Sequence, residues 1–149
     1  MVRTCRTGTR GVTFPLRVRR AREDELEDVE ALDRECFPGL PYDFARDALW
    51  VASLVGEVVG YASARDSKRY PGWVYLSRCA VHPDFRGHGL QKRLIRARVR
   101  WAKRTTYTYT LDNPASGNAL MACGFRLFQP DGYVPEHPSE RWWRRVVPS

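Results

Sequence analysis

The residues with the clearest chemical potential form a glycine-rich turn, Arg86 to Gln91, in the second half of the chain. The turn joins a predicted strand to a predicted helix, so the first backbone N–H groups of that helix have no partner within it. Such N–H groups bind anions, above all phosphate. Gly87 and Gly89 leave the backbone open to close approach, and Arg86 adds a positive charge suited to a diphosphate. These residues indicate a diphosphate site, although a basic helix after a GxG turn is more often a solvated surface.

Two common phosphate-binding loops are excluded by the spacing. The chain contains no GxxxxGK[ST] sequence, the loop that holds nucleotide phosphates in P-loop proteins. The dinucleotide fingerprint GxGxxG needs a third glycine, and the residue at that position is Lys92. The turn also lies in mid-chain, after four predicted strands. It therefore belongs to neither of these nucleotide-binding classes.

Length and composition describe one ordinary globular domain. Of the 149 residues, 43% are hydrophobic and 28% are charged, so one sizeable core is expected and disordered or collagen-like chains are excluded. No apolar run reaches the roughly 18 residues that a membrane-spanning helix needs. Twenty-five Lys and Arg against 17 Asp and Glu give a formal net charge of +8, which favours polyanions or phosphorylated small molecules as partners.

The cysteines and histidines predict neither a disulfide framework nor a metal site. The four cysteines show no CxxC spacing, and the three histidines lack metal-ligand spacing. We expect reduced thiols and a cytoplasmic protein. Residues 1–13 are rich in Arg and Thr and free of acids, and we interpret them as a flexible basic leader rather than a transit peptide. Residues 14–149 are expected to form the single domain.

Hydrophobic periodicity predicts a mixed α/β domain. Strands are predicted at Phe14–Ala21, Leu49–Val55, Val58–Ala64, Trp73–Val81, Thr105–Leu111, Phe125–Gln129 and Arg141–Val147. Helices are predicted at Glu23–Cys36, at Asp43–Ala48, from Leu90 through Trp101, and over a short stretch that ends at Ala122. Asp33 falls on the apolar stripe of the first helix. Gly56-Glu57 predicts a hairpin, and helices after the fourth and fifth strands indicate that these two strands pair in parallel.

The segment Cys79 to Gln91, followed by Leu94-Ile95, closely resembles the acetyl-CoA signature of the GNAT superfamily of N-acetyltransferases. Arg86 to Gln91 matches the family motif Q/R-x-x-G-x-G/A. A second segment, Asn113 to Phe125, resembles the family's other characteristic helix. The resemblance covers nearly all of the chain from residue 14 onward. It implies a GNAT-like domain with a central, mostly antiparallel sheet, flanking helices, and a splay between the parallel fourth and fifth strands.

The resemblance implies acetyl-CoA as co-substrate, with no metal. The amides of the glycine-rich turn would hold the CoA pyrophosphate, and the strand backbone before it would pair with pantetheine. The Cys79 N–H would stabilise the oxyanion that develops on the thioester. The implied CoA-binding residues are Cys79, Ala80, Val81, Arg86, Gly87, His88, Gly89, Leu90, Gln91, Asn113 and Ser116.

The sequence departs from the family pattern at the positions that handle protons. Leu120 stands where the family often has a tyrosine general acid, and Gln91 stands where glycine or alanine is usual. Removing the proton from an alkylamine, whose pKa is near 10, needs a base or a water path. Our candidates are Tyr75, for proton relay, and Tyr109 or Asp112. Ordinary packing also explains each of them.

An acceptor site is indicated by Phe37-Pro38 with Tyr42, which resembles the acceptor loop of protein N-terminal acetyltransferases. A helix stop with an aromatic anchor explains the same residues. Trp142-Trp143 is expected to alternate between the core and the acceptor rim.

The leading hypothesis is an acetyl-CoA-dependent N-acetyltransferase that acts on a primary amine of a small molecule or a protein, at an N-terminus or a lysine. The positive charge favours an anionic acceptor, and no membrane partner is indicated. One alternative is a nucleic-acid-binding module that uses Arg93, Arg96 and Arg100 on phosphates. Another is a GNAT-like sensor that binds acyl-CoA without turnover. The sequence leaves the choice between a monomer and a homodimer open.

Overall fold

The computed structural model describes residues 15–147, so the predicted leader lies outside the described residues. The strands are β1 (Leu16–Arg20), β2 (Ala48–Leu54), β3 (Glu57–Asp66), β4 (Val74–Val81), β5 (Thr106–Leu111), β6 (Arg126–Leu127) and β7 (Glu140–Arg145). The helices are α1 (Leu26–Cys36), α2 (Leu90–Ala102) and α3 (Pro114–Ala122). The strands form one sheet in the order β1-β2-β3-β4-β5-β7-β6. None of the described helices is long and apolar enough to cross a bilayer.

The predicted mixed sheet is confirmed, including its one parallel pair. The β1–β2, β2–β3 and β3–β4 pairs are antiparallel, as are the β5–β7 and β7–β6 pairs. Strands β4 and β5 run parallel and pair at only two positions, Val74 with Thr106 and Tyr75 with Tyr107. Beyond Tyr75 the two strands separate. The sheet is therefore open along the second half of β4.

The β2–β3 hairpin forms where Gly56-Glu57 predicts it. Val55 and Gly56 occupy its two central positions with φ of 49° and 78°, the left-handed conformation that tight hairpin turns require. The two end strands are shorter than predicted. Strand β6 has two residues, and Pro130, which has no N–H to donate, follows soon after it.

The short helix predicted at Asp43–Ala48 is wrong. The segment forms a turn, and Ala48 already belongs to β2. The Asp43 carboxylate accepts the Ala45 N–H at 2.9 Å, an Asx turn that competes with helix formation. Phe44 is buried against α1 and β3, so tertiary packing favours the turn as well.

The core has a separate part on each face of the sheet. On one face, α2 and α3 pack on residues such as Leu76 and Phe125. On the other, α1 places Val29 and Leu32 against Val51 and its neighbours. Helix α1 packs on β3 and the edge of β4, which leaves β5 and β7 without a helix on that face. Helices therefore cover one face of the sheet throughout, whereas on the other face β5 and β7 have no helix over them.

A buried ion pair fixes the start of α1. A 3-10 turn, Glu23–Glu25, precedes the helix, and Glu25 is buried. Arg19 of β1 donates two hydrogen bonds to the Glu25 carboxylate, at 2.8 and 2.7 Å. The hydrogen bonds from Arg19, helped by the Arg22 N–H, lower the pKa of Glu25 to about 2. The pair therefore ties the helix to the edge of the sheet.

Candidate active site

A cleft of about 620 Å³ lies between β4, the glycine-rich turn and the first turn of α3. Ten of the eleven residues predicted to bind CoA line it: Cys79, Ala80, Val81, Arg86, Gly87, Gly89, Leu90, Gln91, Asn113 and Ser116. The side chain of His88 is exposed and lies outside this set; its Nδ1 is 3.0 Å from the Arg86 carbonyl oxygen. Two segments that are distant in sequence thus meet in one concave site.

The glycine-rich turn has the backbone of an anion site. Gly87 and Gly89 have φ of 82° and 75°, and a Cβ at either position would meet nothing within 4 Å. The glycines are therefore required by the backbone conformation, and the space beside them is open. Gly89 is the N-cap of α2 and no side chain caps that end, so backbone donors remain for a ligand. The Arg86 Nε donates to the Val81 carbonyl at 3.0 Å, which anchors the turn to β4.

The open half of β4 presents unpaired backbone groups to the cleft. The His82 N–H donates to the Val59 carbonyl at 2.8 Å, on the β3 side. Because successive N–H groups along a strand point in opposite directions, the Val81 and Cys79 N–H groups point away from β3, toward the space that β5 has left. Cys79 is partly buried, its side chain packs against the core, and this burial raises the pKa of its thiol. The backbone of Cys79, rather than its thiol, is the group available to a ligand.

The rim of the cleft is closed by a contact between the two helices. The Gln91 side-chain amide donates to the Ser116 hydroxyl at 2.9 Å. Asn113 caps α3 by accepting the Ser116 N–H at 3.1 Å. Gln91, the departure from the family motif, therefore serves as a bridge between α2 and α3.

A bulge in β4 directs two neighbouring side chains to the face opposite α2. Cys79 stands opposite Ala62 and Leu76 opposite Ala64, so Ser77 and Arg78 together face Ser63. The Ser63 hydroxyl contacts the Ser77 hydroxyl at 2.7 Å and accepts the Arg78 N–H at 3.0 Å. The bulge thus aims two polar groups at the segment that follows α1.

Two buried aspartates receive these groups, and neither was among the predicted site residues. Asp33 of α1 accepts the Arg78 Nε at 2.9 Å and the Tyr61 hydroxyl. Asp47, just before β2, accepts the Tyr42 hydroxyl at 2.6 Å and the Ser77 hydroxyl at 2.7 Å. The helical stripe of α1 carries a signal for Asp33, whereas no local pattern marks Asp47.

The predicted acceptor residues lie around Arg78. Its guanidinium lies 4.1 Å from the centre of the Phe37 ring and 5.3 Å from that of Tyr42, and it donates to the Leu40 carbonyl. Pro38 lies in the turn between these residues. Phe37 also lines the cleft, so the loop that follows α1 joins the cleft to this face of the sheet.

The three predicted proton-transfer residues do not form one cluster with the cleft. Tyr75 lies beside Tyr107 under the Arg65 guanidinium, and burial raises the pKa of Tyr75. Tyr109 stacks on Trp142 at 5.2 Å, and Asp112 is exposed after the end of β5. The high pKa keeps Tyr75 protonated at neutral pH, so it can pass a proton but cannot store one as a base.

The open half of this face is covered by aromatic side chains. Trp142 points outward, and Trp143 points into the core, as the alternation predicts. Trp142 contacts Tyr107, Tyr109, Phe128 and Tyr133. A shallow depression of about 760 Å³, lined in part by Trp142, extends this surface beneath the loop before β7.

Some arginines of the basic helix α2 form hydrogen bonds within the protein and are not free to bind a partner. Arg98 is buried, and its guanidinium donates to the Leu94 and Ser63 carbonyls, each at 3.1 Å. Arg93 donates to the Leu16 carbonyl at 2.9 Å. Arg96 and Arg100 line a depression near the end of the helix, away from the cleft.

Comparison with known proteins identifies the family. The model of the Acetyltransferase (GNAT) family matches residues 18–125, which is most of the chain. The chain belongs to the GNAT acetyltransferase family. No curated protein matches the sequence significantly. The GNAT fold that the sequence predicts is thereby confirmed, and the family's reaction is the transfer of an acetyl group from acetyl-CoA.

Solved GNAT structures share the fold at low sequence identity. The Arabidopsis thaliana NAA60 complex with acetyl-CoA has a TM-score of 0.71 at 19% identity, over 89% of this chain and 100% of that chain. A Sinorhizobium meliloti phosphinothricin acetyltransferase with acetyl-CoA has a TM-score of 0.71 at 21% identity, over 89% and 88%. The putative acetyltransferase yncA from Salmonella typhimurium, with its cofactor acetyl-CoA, has a TM-score of 0.70 at 18% identity, over 91% and 95%.

One feature, at Leu120, distinguishes this GNAT site from the family pattern described above. Leu120 is buried in the core between the sheet and the helices, so no phenol stands at the family's tyrosine position. Any side chain that acts as a general acid therefore stands at a position other than 120. Within residues 15–147, no group of three or more His, Cys, Asp or Glu side chains could hold a metal ion.

Proposed function

We propose that this protein is an N-acetyltransferase that moves the acetyl group of acetyl-CoA to a primary amine of a small molecule or a protein. One observation carries the proposal: the unpaired Cys79 and Val81 N–H groups and the glycine-rich turn line the same cleft. The turn suits the pyrophosphate, and the strand edge suits the amide-rich pantetheine arm. A ligand held at both places has its thioester beside Cys79.

The Cys79 N–H would then stabilise the negative charge that develops on the thioester oxygen. A fixed backbone donor is effective there because it needs no reorganisation during the reaction. The thiolate of CoA leaves with little assistance, and holding the amine beside the thioester supplies a large part of the rate. The mechanism therefore does not depend on a tyrosine at position 120.

The acceptor would approach from the face that carries Phe37, Tyr42 and the aromatic side chains around Trp142. Arg65 and Arg69 border this surface, and each guanidinium lies over an aromatic ring, 5.5 Å from Tyr75 and 5.7 Å from Trp142 respectively. Positive charge beside aromatic rings favours an amine that also bears an aromatic or anionic group. The acceptor site and the cleft would meet at Phe37.

A second candidate function is an acyl-CoA sensor without turnover, which the core position of Leu120 favours. A sensor and an enzyme would both bind acetyl-CoA, but only an enzyme releases CoA when an amine is added. The difference is therefore kinetic.

The test combines calorimetry with an assay of thiol release. We expect acetyl-CoA to bind with micromolar affinity and CoA thiol to appear with at least one member of a panel of alkylamines, amino acids, and peptides with a free N-terminus or a lysine. Binding without thiol release across the panel would favour the sensor. An absence of binding at high micromolar acetyl-CoA would exclude both functions.

A further inference from the structure

Asp33 and Asp47 lie on the same face of the sheet, but their hydrogen bonding differs. Both oxygens of Asp33 receive hydrogen bonds from Arg78, at 2.9 and 3.3 Å, and Tyr61 adds another. Asp47 has a fully buried side chain whose Oδ2 takes both of its hydrogen bonds, while its Oδ1 has none. A buried carboxylate oxygen without a donor is costly, which makes it a candidate for function rather than for stability.

Arg65 compensates the charge of Asp47 as an ion pair, but it does not give Oδ1 a hydrogen bond. The nearest guanidinium nitrogen, Arg65 Nη1, is 3.8 Å from Oδ1, too far for a hydrogen bond. The same nitrogen donates to the Tyr42 hydroxyl at 3.3 Å. Arg65 thus supports Tyr42, and the hydrogen-bonded route from Tyr42 to Asp47 leads to Oδ2.

Tyr42 connects Asp47 to the acceptor site. Its hydroxyl donates to Oδ2 at 2.6 Å, and its ring lies beside Arg78 in the loop that also carries Phe37. Burial and the neighbouring Asp47 raise the pKa of Tyr42, so its hydroxyl keeps its proton at neutral pH. A protonated phenol bound to a carboxylate can receive a proton and release another in the same event. It relays protons without storing charge.

Ser77 connects Asp47 to β4 on the other side. Its hydroxyl lies 2.7 Å from Oδ2, and Ser77 precedes Cys79 by two residues on the strand that borders the cleft. Asp47 is therefore fixed between the acceptor loop and the strand that would hold the thioester.

We propose that Asp47 takes the proton of the acceptor amine through the Tyr42 hydroxyl. This inference rests on the proposed N-acetyltransferase function. An alkylammonium group has no lone pair, so one proton must leave before its nitrogen attacks the thioester carbonyl. Tyr42 would touch the amine, and Asp47 would act through Tyr42.

The protons balance as follows. One ammonium proton moves to the Tyr42 oxygen while the Tyr42 proton moves to Asp47. The nitrogen lone pair then forms the C–N bond, and the C–S bond breaks. The second nitrogen proton goes to the departing sulfur, which gives the amide and CoA thiol. Asp47 returns its proton to solvent after the products leave.

The charged and titratable groups that face this relay come from α1, the loop after it, β3 and β4. Tyr42 belongs to the loop after α1, Arg65 to β3, and Tyr75 to β4, where the Arg65 guanidinium covers its ring. Asp33 and Arg78 face the same loop as a saturated pair. Arg65 carries the positive charge that would offset the Asp47 carboxylate between turnovers.

The test compares Asp47→Asn, Tyr42→Phe and Ser77→Ala with the wild type. Tyr42→Phe and Ser77→Ala each remove one hydrogen bond from the same oxygen, but only Tyr42 lies on the proposed path. With a primary alkylamine at pH 7, we expect kcat to fall about 100-fold or more in Asp47→Asn and Tyr42→Phe, and less than about 5-fold in Ser77→Ala. Asp66→Asn, at an exposed ion pair, is the control for loss of a surface carboxylate.

The readout that separates proton transfer from structure is the basicity of the acceptor. The same alkylamine and its β,β-difluoro analogue are compared in every variant at pH 8.5, where the analogue is largely neutral and the parent amine is still largely protonated. We expect the losses in Asp47→Asn and Tyr42→Phe to shrink to less than about 10-fold with the neutral amine, since no proton needs to leave before attack.

The relay is overturned if Asp47→Asn loses equally with both amines, or if Tyr42→Phe and Ser77→Ala lose equally. If Asp47→Asn fails to fold by circular dichroism, the Tyr42→Phe and Ser77→Ala pair decides alone. A wild type that releases no CoA with any amine refutes the proposed function and the relay together. A fully active Asp47→Asn variant refutes the relay only.

Discussion

The cleft and the acceptor face are built in opposite ways. Apart from the bridge between Gln91 and Ser116, the hydrogen bonds described in the cleft join residues close in sequence, such as Arg86 with Val81 and Asn113 with Ser116. On the proposed acceptor face, the surface around Phe37, Tyr42 and Arg78, most hydrogen bonds join residues far apart. Examples are Asp33 with Arg78 and Asp47 with Ser77, and the bond between Tyr42 and Asp47 is the local exception. A local motif can thus specify an anion site, whereas the surface proposed for the second substrate exists only in the folded chain.

The largest expected effect tests the hydrogen bonds between distant residues on the proposed acceptor face. Asp33→Asn leaves Arg78 partly buried beside a neutral amide, and breaking such a pair costs about 3–5 kcal/mol of unfolding free energy. Asp66→Asn breaks an exposed pair of similar length, 2.8 Å, and we expect less than about 1 kcal/mol. Urea denaturation of both variants measures the difference. Equal losses would contradict the view that buried pairs hold the acceptor face together.

The pH dependence of stability tests the anchor of α1. The folded-state pKa of Glu25 is lowered from 4.5 to about 2, so its contribution is complete above pH 4.5 and is lost as the pH falls toward 2. That shift corresponds to roughly 3 kcal/mol. We expect Glu25→Gln to flatten the decline in unfolding free energy between pH 4.5 and 2. An unchanged slope in denaturant titrations across this range would assign the decline to other carboxylates.

Substitutions at two separate glycines, Gly89 and Gly56, test the local motif of the cleft. Gly89→Val places a side chain in the open space of the turn and strains a left-handed backbone, so we expect acetyl-CoA affinity to fall about 100-fold, or roughly 2.7 kcal/mol. Gly56→Val imposes the same kind of strain in the β2–β3 hairpin, at φ of 78°, far from the cleft. Calorimetry on Gly56→Val should give wild-type affinity. A similar loss of acetyl-CoA affinity in both variants would mean that backbone strain causes the loss, and that Gly89 does not belong to a binding site.

The smallest effect concerns the bridge between α2 and α3. Gln91→Ala removes one hydrogen bond of 2.9 Å, which is worth about 1 kcal/mol. We expect acetyl-CoA affinity to fall less than 10-fold and Ser116→Ala to behave alike. The double variant should lose little more than either single one, because both remove the same contact. Additive losses in calorimetry would mean that Gln91 and Ser116 contribute to binding separately.

What the sequence could predict follows the same division. The turn at Arg86 to Gln91 was visible because glycine, charge and helix pattern occur together within a few residues. The parallel β4–β5 pair followed from the order of elements. Asp33 could be noticed in the sequence as a carboxylate on the apolar stripe of a helix. Asp47 could not, because Ser77 and Arg65, which contact it, come from two other parts of the chain.

The wrong helix at Asp43–Ala48 has the same cause. Its residue types permit a helix, and the Asx turn at Asp43 with the burial of Phe44 overrides that preference. The turn carries Tyr42 and Asp47 into hydrogen-bonding distance. Tertiary contacts therefore decided both the local structure and the chemistry at this point.

Strands β4 and β5 pair at only two positions, and this affects the thermal stability of the protein. A co-substrate bound along the free edge of β4 would occupy the place of a paired strand. Because it would bind only the folded protein, its concentration would shift the folding equilibrium. At one hundred times its Kd, it would add about 2.7 kcal/mol to the unfolding free energy. The melting temperature of the protein would then rise with the concentration of acetyl-CoA around it.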